Sequence, residues 1–138
     1  MNARPLLGLL ALTLLGTPVA AQQRSKTKEP VFDDRPLSSW IKDLKAQAPQ
    51  TRNAAAYVIS GMGPEAASAV PALIEALDDP EPVVRFPVAV ALREIGPAAS
   101  AALPKLRLLL DDRSEDVAAM ARKAIEVISG EKVARDSD

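Results

Sequence analysis

The chain has 138 residues, with 17 Lys and Arg against 18 Asp and Glu, so its formal charge is −1 and its length suits one ordinary domain. It contains no cysteine and no histidine, which excludes thiolate nucleophiles, Ser-His-Asp triads and Cys/His zinc or haem sites. The near-neutral balance, without a basic block, argues against nucleic acid as a partner, because phosphate binding needs clustered Lys and Arg.

The segment 1–21 has the pattern of a secretory signal peptide. Arg4 precedes an apolar run from Leu6 to Leu15, and the small residues Val19 and Ala21 precede a cleavage site after Ala21. The run is shorter than the roughly 20 residues that a membrane helix needs. We therefore expect a secreted or periplasmic protein with no membrane association after cleavage, the alternative being an uncleaved membrane anchor.

Polar segments flank the rest of the chain. Residues 22–36 lack a helical period and include two prolines, which predicts a flexible linker. Its basic residues, Arg24, Lys26 and Lys28, have no apolar anchor and are expected to be solvated rather than bound to a membrane surface. Residues 131–138 are predicted to form a polar C-terminal tail.

From Leu37 onward the sequence repeats at a constant spacing without gaps, so that Leu37 aligns with Val70 and Val70 with Leu103. The units are 37–69, 70–102 and 103–130. A constant period of this length is the signature of stacked structural repeats, and about three repeats are needed for a stable array. Equivalent positions share their chemical character, for example Leu44, Leu77 and Leu110, or Met62, Ile95 and Ile128.

Each unit contains two apolar stripes at helical spacing, separated by a turn. In the second unit the stripes include Leu73 and Val88, and the turn covers residues 78–82. Gly63 and Gly96 are each followed by proline, which predicts the end of one helix and the start of the next. The predicted fold class is therefore all-α, an α-solenoid of about three helix-turn-helix repeats.

The units resemble HEAT repeats, in particular the short, alanine-rich HEAT-like repeats of the phycobilisome-lyase type. The resemblance covers residues 37–130 and is carried by VPALIEALDDPEPVVR at 70–85, followed by ALREIGP at 91–97. It implies a HEAT-like α-solenoid, although this fold is used by many unrelated binding proteins.

The family pattern also implies an internal polar ladder, in which an Asp ends the turn and an Arg follows six positions later. Asp79 and Arg85 match both positions, whereas Arg52 and Asp112 each match one half. The resemblance therefore implies structural pairs across neighbouring repeats, Arg52 with Asp79 and Arg85 with Asp112.

Two residues depart from the repeat pattern. Pro87 lies beyond the first turn of its helix, where it removes an amide donor, so that helix is predicted to begin late or to kink. Trp40 occupies the position of Leu73 and Leu106. We expect Trp40 in the core or the end cap of the first unit rather than in a binding site.

The second helices of such an array line one continuous face, which is the candidate binding surface. The outward residues form an apolar strip with charged edges, consisting of Tyr57, Phe86 and Val90 bordered by Arg93 and Lys123. Exposed aromatic residues of this kind are typical of protein-binding surfaces. The alternatives are that the nearby proline rotates Phe86 into the core, or that the strip is ordinary surface variation.

The acidic pairs at 33–34, 78–79 and 111–112 are the remaining candidates for chemistry. The last two recur with the repeat and are explained as turn and helix-start groups, and a calcium loop would need more oxygen ligands and a glycine. We therefore predict no catalytic residue, no metal site and no cofactor, with an unidentified protein or peptide as partner. A lyase-like or accessory enzyme subunit and a structural spacer are the alternatives.

Overall fold

The computed structural model describes residues 28–135, so the predicted signal peptide (1–21), residues 22–27 of the predicted linker and residues 136–138 lie outside the described part. Within that part, α-helices pair into three helix-turn-helix repeats, which confirms the all-α fold class. The helices are α1 (Leu37–Asp43) and α2 (Pro49–Met62), α3 (Val70–Ala76) and α4 (Pro82–Ile95), and α5 (Leu103–Leu108) and α6 (Glu115–Ser129).

The second helix of each repeat begins where the sequence supplies a start signal. Pro49 and Pro82 open α2 and α4, at a position where no amide donor is needed. Ser114 caps α6, because its Oγ accepts a hydrogen bond from the Val117 N–H at 3.4 Å.

Gly63 and Gly96 end α2 and α4 with φ angles of 58° and 80°, values that favour glycine. The proline after each glycine opens a 3-10 helix, Gly63–Ala69 or Gly96–Ala102, rather than the next α-helix. Backbone angles leave the helical region inside both 3-10 segments, so the α-helix resumes only after them. The expected helix ends are therefore present, but each following α-helix begins later than predicted.

Equivalent positions of the three repeats form one continuous hydrophobic core. Alanines at the contacts between helices let the backbones approach closely, and large aliphatic side chains fill the space beneath them. Trp40 is 9% exposed and belongs to this core, as expected from its alignment with Leu73 and Leu106. The fully buried contact alanines are Ala55, Ala56, Ala89, Ala91, Ala121 and Ala124.

Between residues 28 and 135, one stretch, Pro82–Asp111, is long and apolar enough to cross a membrane by length and composition alone. Half of its most apolar window is buried inside the protein. The stretch also changes direction at Gly96, between α4 and the following 3-10 helix. Its apolar character is therefore explained by the core of the repeat array.

The segment before α1 is folded, and here the predicted flexible linker is wrong. Val31–Phe32 (β1) pairs antiparallel with Arg35–Pro36 (β2) to form a short hairpin. The two turn residues, Asp33 and Asp34, have φ angles of 54° and 58°, the conformation that a two-residue type I′ turn requires at both positions.

The hairpin covers Trp40. The Phe32 ring meets the indole edge-on with centroids 6.5 Å apart, and the Trp40 Nε1–H donates to the Phe32 carbonyl at 3.3 Å. The Arg35 guanidinium lies 3.8 Å from the centroid of the indole ring and pairs with Asp43 at 2.7 Å. In the described part of the chain no repeat precedes α1, so the hairpin shields the outer side of the first repeat instead.

The described part of the predicted tail also contacts the repeats. The Val133 N–H donates to Glu126 Oε1 at 3.1 Å, and the Val133 side chain packs against the core and is partly buried. Residues 131–135 thus run along the end of α6 without forming regular secondary structure.

Pro87 lies inside α4 without interrupting it. The helix begins at Pro82 and runs to Ile95, so the predicted late start is wrong. Proline cannot donate to the carbonyl four residues earlier, which belongs to Val83. Asn53 of α2 replaces the missing donor, because its Nδ2 donates to the Val83 carbonyl at 2.5 Å. The neighbouring repeat therefore compensates for the proline.

This compensation predicts coupling between Asn53 and Pro87. Asn53→Ala should lower the free energy of unfolding by about 0.5–1.5 kcal/mol, the net value of one hydrogen bond. In a Pro87→Ala background the new N–H restores the helical bond to the Val83 carbonyl, so the cost of Asn53→Ala should fall by at least half. Urea unfolding of the wild type, both single variants and the double variant measures the coupling.

The control for the prediction is Gln50→Ala, an exposed position on the same helix. It reports the effect of replacing a polar side chain on α2 without touching the Val83 carbonyl. An equal cost of Asn53→Ala in the presence and absence of Pro87 would show that the two residues act independently.

Candidate functional site

The second helices, α2, α4 and α6, pack side by side, with α4 in the middle. Because the second helix occupies the equivalent position in each repeat, these three helices form one face of the array. This face holds the sequence-predicted binding residues, and its edge near the turns holds the predicted polar ladder.

Two arginines cross the boundaries between repeats. Arg52 donates from Nε and Nη2 to the two carboxylate oxygens of Asp79, at 2.6 and 3.0 Å. Arg85 makes the same bidentate contact with Asp112, at 2.9 Å for both bonds. The Nη1 of each arginine donates to a turn carbonyl of its own repeat, that of Ala46 at 2.9 Å or that of Asp79 at 2.7 Å. These are the pairs that the family pattern implied.

Each ladder aspartate also holds the turn that follows it. Asp79 Oδ1 accepts the Glu81 N–H at 3.0 Å, and Asp112 Oδ1 accepts the Ser114 N–H at 2.9 Å. The four charged side chains of the two pairs are only 6–14% exposed. Their hydrogen-bonding groups are therefore occupied within the fold, which assigns them a structural role.

The ladder contacts shift the pKa values of Asp112, Asp79 and Arg52. Hydrogen bonds from Arg85 hold the pKa of Asp112 below its ordinary value, against the smaller opposing effect of burial. Burial is the largest single influence on Asp79 and acts upward, but hydrogen bonds from Arg52 and the Glu81 N–H, with the guanidinium charges, together lower its pKa. The same bond to Asp79 raises the pKa of Arg52.

An open groove of about 540 Å³ crosses the face from the middle of α2 to the starts of α4 and α6. Side chains from all three repeats line it, so its shape depends on how the repeats are stacked. The lining is apolar along α4 and partly polar at its two sides, and consists of Asn53, Tyr57, Pro82, Val83, Phe86, Ser114 and Asp116.

The structure corrects the predicted apolar strip. Tyr57 is exposed, at 48%, and lines the groove. Phe86 also lines the groove, but Phe86 and Val90 are partly buried and pack against the core. The expectation that both are outward-facing is therefore wrong in degree: α4 is flanked by α2 and α6, which partly cover its outward side chains.

The two predicted basic residues lie outside the groove lining. Arg93 is partly buried and donates to Glu94 at 2.5 and 2.9 Å and to the Met120 sulfur at 3.6 Å. Lys123 is exposed on α6, two helical turns beyond Asp116. Arg93 and Lys123 thus lie further along the second helices than the groove.

Sequence reasoning missed Val83, an apolar residue of the groove that is 56% exposed. The signal was present, because Val83 precedes Phe86 by three residues and Val90 by seven, a spacing that places all three on one side of a helix. Val83 directly precedes Val84, which belongs to the inward apolar stripe, so Val83 was not recognised as an outward apolar residue.

The described residues also bear on metal chemistry. Between residues 28 and 135, no group of three or more His, Cys, Asp or Glu side chains is placed to hold a metal ion. The two carboxylates of the acidic pair at 78–79 have different partners: Asp78 forms a salt bridge with Lys105, and Asp79 forms the ladder contact with Arg52.

Three stacked helix-turn-helix repeats, tied at their turns by internal Arg–Asp pairs, define a short α-solenoid. The HEAT repeat model matches residues 37–126, which is more than half of the chain, and the protein belongs to the HEAT repeat family. Among curated proteins, none matches the chain. Members of this family commonly mediate protein–protein interaction and are generally non-enzymatic scaffolds.

The lowered pKa of Asp112 predicts a loss of stability in acid. The side chain of an unfolded aspartate has a pKa of about 3.9. At pH values between this pKa and the lower folded pKa, the unfolded chain therefore binds more protons than the folded chain. The ladder's contribution is complete above about pH 5 and falls as the pH drops through the folded pKa. Urea unfolding at about pH 6 and about pH 3 should show this loss in the wild type.

Asp112→Asn should remove part of this dependence. We expect it to cost about 1–3 kcal/mol near neutral pH, because Arg85 keeps a buried guanidinium without a carboxylate, and to flatten the acid slope. The exposed neighbour Asp111, replaced by Asn, is the matched control and should keep the wild-type slope. Identical slopes for Asp112→Asn and the wild type would contradict the assignment.

Proposed function

We propose that the protein is an exported, non-enzymatic scaffold that binds a protein or peptide in the groove across its second helices. The observation that carries the proposal is the exposure of Tyr57 and Val83 at the mouth of a groove whose floor is formed by Phe86. Interfaces concentrate their binding energy in a few aromatic and aliphatic anchors of this kind.

Family membership supports this choice of activity, since HEAT repeats commonly mediate protein–protein interaction. The structural role of the ladder supports it further, because its carboxylates are bound by arginines and are not free to act as acids or bases. The constant, gap-free repeat period and the alanine contacts favour the short HEAT-like subtype found in phycobilisome lyases.

The proposed location rests on the leader at residues 1–21, where an apolar run is followed by a small-residue cleavage site. The absence of cysteine from the sequence is compatible with an oxidising compartment, because no thiol can form a disulfide there.

Groove variants test the binding role. A Tyr57→Ser/Val83→Ser double variant should lose an interacting protein that the immobilised wild type retains from a secreted or periplasmic fraction, with affinity reduced by about 2 kcal/mol or more. Both residues are about half exposed, so the melting temperature should stay close to that of the wild type. Quantitative mass spectrometry of retained proteins, with thermal melts of each variant, measures both effects.

Leu108→Ser is the matched control, because Leu108 is 72% exposed on α5 and does not line the groove. The Leu108→Ser variant should still retain the proteins that bind in the groove. Equal retention by the wild type and the groove variant would contradict binding in the groove, whereas the absence of any retained protein would favour a structural spacer.

Export is tested by the leader itself. Deleting residues 1–21 should keep the protein inside the producing cell as a soluble species, whereas the full chain should appear outside the inner membrane with Gln22 at its new N-terminus. Intact-mass measurement of each fraction identifies the cleavage. Recovery of uncleaved chain bearing Met1 in membranes would support the anchor alternative instead.

A further inference from the structure

The charged residues at the groove indicate which kind of partner fits it. Among its lining residues Asp116 is the only charged side chain, and it is exposed. In the described part of the chain Asp116 forms no ion pair. The starts of α4 and α6, which flank the groove, also carry Glu81 and Glu115. The bases there are Arg113 and Arg85, and Arg85 is already paired with its ladder aspartate.

The structure of α6 does not require Asp116 as a cap. Ser114 already accepts the Val117 N–H, and Glu115 supplies a negative charge in the first turn. The carboxylate of Asp116 is therefore available in the groove, whose lining also includes the apolar Val83 and Phe86 of α4.

The shape of the groove favours a chain segment over a small molecule. Its volume lies within the range of about 300–1,000 Å³ that holds compact ligands. Small-molecule sites, however, enclose most of their ligand, whereas this groove is open along its length and has two half-exposed apolar side chains at its mouth. A peptide segment lying across the helices would cover these side chains.

We propose that the groove takes a basic peptide segment, with one apolar side chain between Tyr57 and Val83 and an adjacent Lys or Arg against Asp116. This inference rests on the proposed function and adds the chemistry of the partner. The apolar contact supplies affinity, and the exposed charge pair supplies selection between basic and acidic sequences. Because that pair is solvated, raising the salt concentration weakens the selection.

The test uses a randomised dodecapeptide library displayed on phage and selected against the immobilised protein. Wild-type protein should enrich sequences that place Lys or Arg next to an aliphatic or aromatic residue. Asp116→Lys should enrich acidic sequences instead, and individual basic peptides should bind this variant roughly three- to tenfold more weakly than the wild type. Glu115→Gln, a neighbouring carboxylate outside the lining, is the matched control and should keep the wild-type preference.

The outcomes separate the two proposals. If peptides are enriched through Tyr57 and Val83 but without a basic preference, or if Asp116→Lys leaves the preference unchanged, the basic-peptide inference is overturned and groove binding stands. If no peptide is enriched above the Tyr57→Ser/Val83→Ser variant, the basic-peptide inference fails, and the binding role of the groove is decided by the retention of whole proteins. A reversed preference in Asp116→Lys, absent in Glu115→Gln, establishes the inference.

Discussion

The bidentate contact between an arginine of one repeat and an aspartate of the next is the interaction on which the array depends. Each guanidinium also bonds a turn carbonyl of its own repeat, and each carboxylate bonds the backbone at the start of the following helix. Each Arg–Asp contact thereby connects four structural elements, namely two turns and two second helices. The planar geometry of both partners defines orientation as well as distance, so hydrophobic stacking is limited to one arrangement of the repeats.

The groove is a consequence of that arrangement. Its lining comes from the middle of α2 and the starts of α4 and α6, a few residues from the ladder pairs. A small rotation of one repeat would separate Tyr57 from Val83, since these residues belong to different repeats. The contact of Asn53 with the Val83 carbonyl adds a second connection at the same place. The ladder therefore shapes the groove only indirectly, by keeping the lining of one repeat aligned with that of the next.

The repeat period made most of the fold predictable from sequence. The constant spacing locates the six helices, and the alignment brings Arg52 to Asp79 and Arg85 to Asp112, because repeated sequence implies repeated structure. The N-terminal hairpin could not be found in this way, since it occurs once. Its turn also places Asp34 at the second positive-φ position, where sequence rules look for glycine.

The candidate site was predictable only in part, for a geometric reason. A helical period separates inward from outward positions on one helix, but the burial of an outward residue depends on the neighbouring helices. Phe86 and Val90 on the middle helix are therefore partly covered, while Val83 near the helix start is not. Similarly, Pro87 is tolerated because of Asn53, a side chain of the preceding repeat, and no local rule contains that relation.

The single tryptophan and the single tyrosine of the chain report on different parts of the molecule. Trp40 lies at the outer side of the first repeat, covered by the hairpin, whereas Tyr57 lies half exposed at the groove. In a linear array each repeat contacts only its neighbours, so the first repeat can open while the others stay folded. The fluorescence of Trp40 reports the opening of the first repeat, whereas far-ultraviolet circular dichroism reports the helix content of the whole array. Intrinsic fluorescence therefore measures the cooperativity of the solenoid without an introduced label.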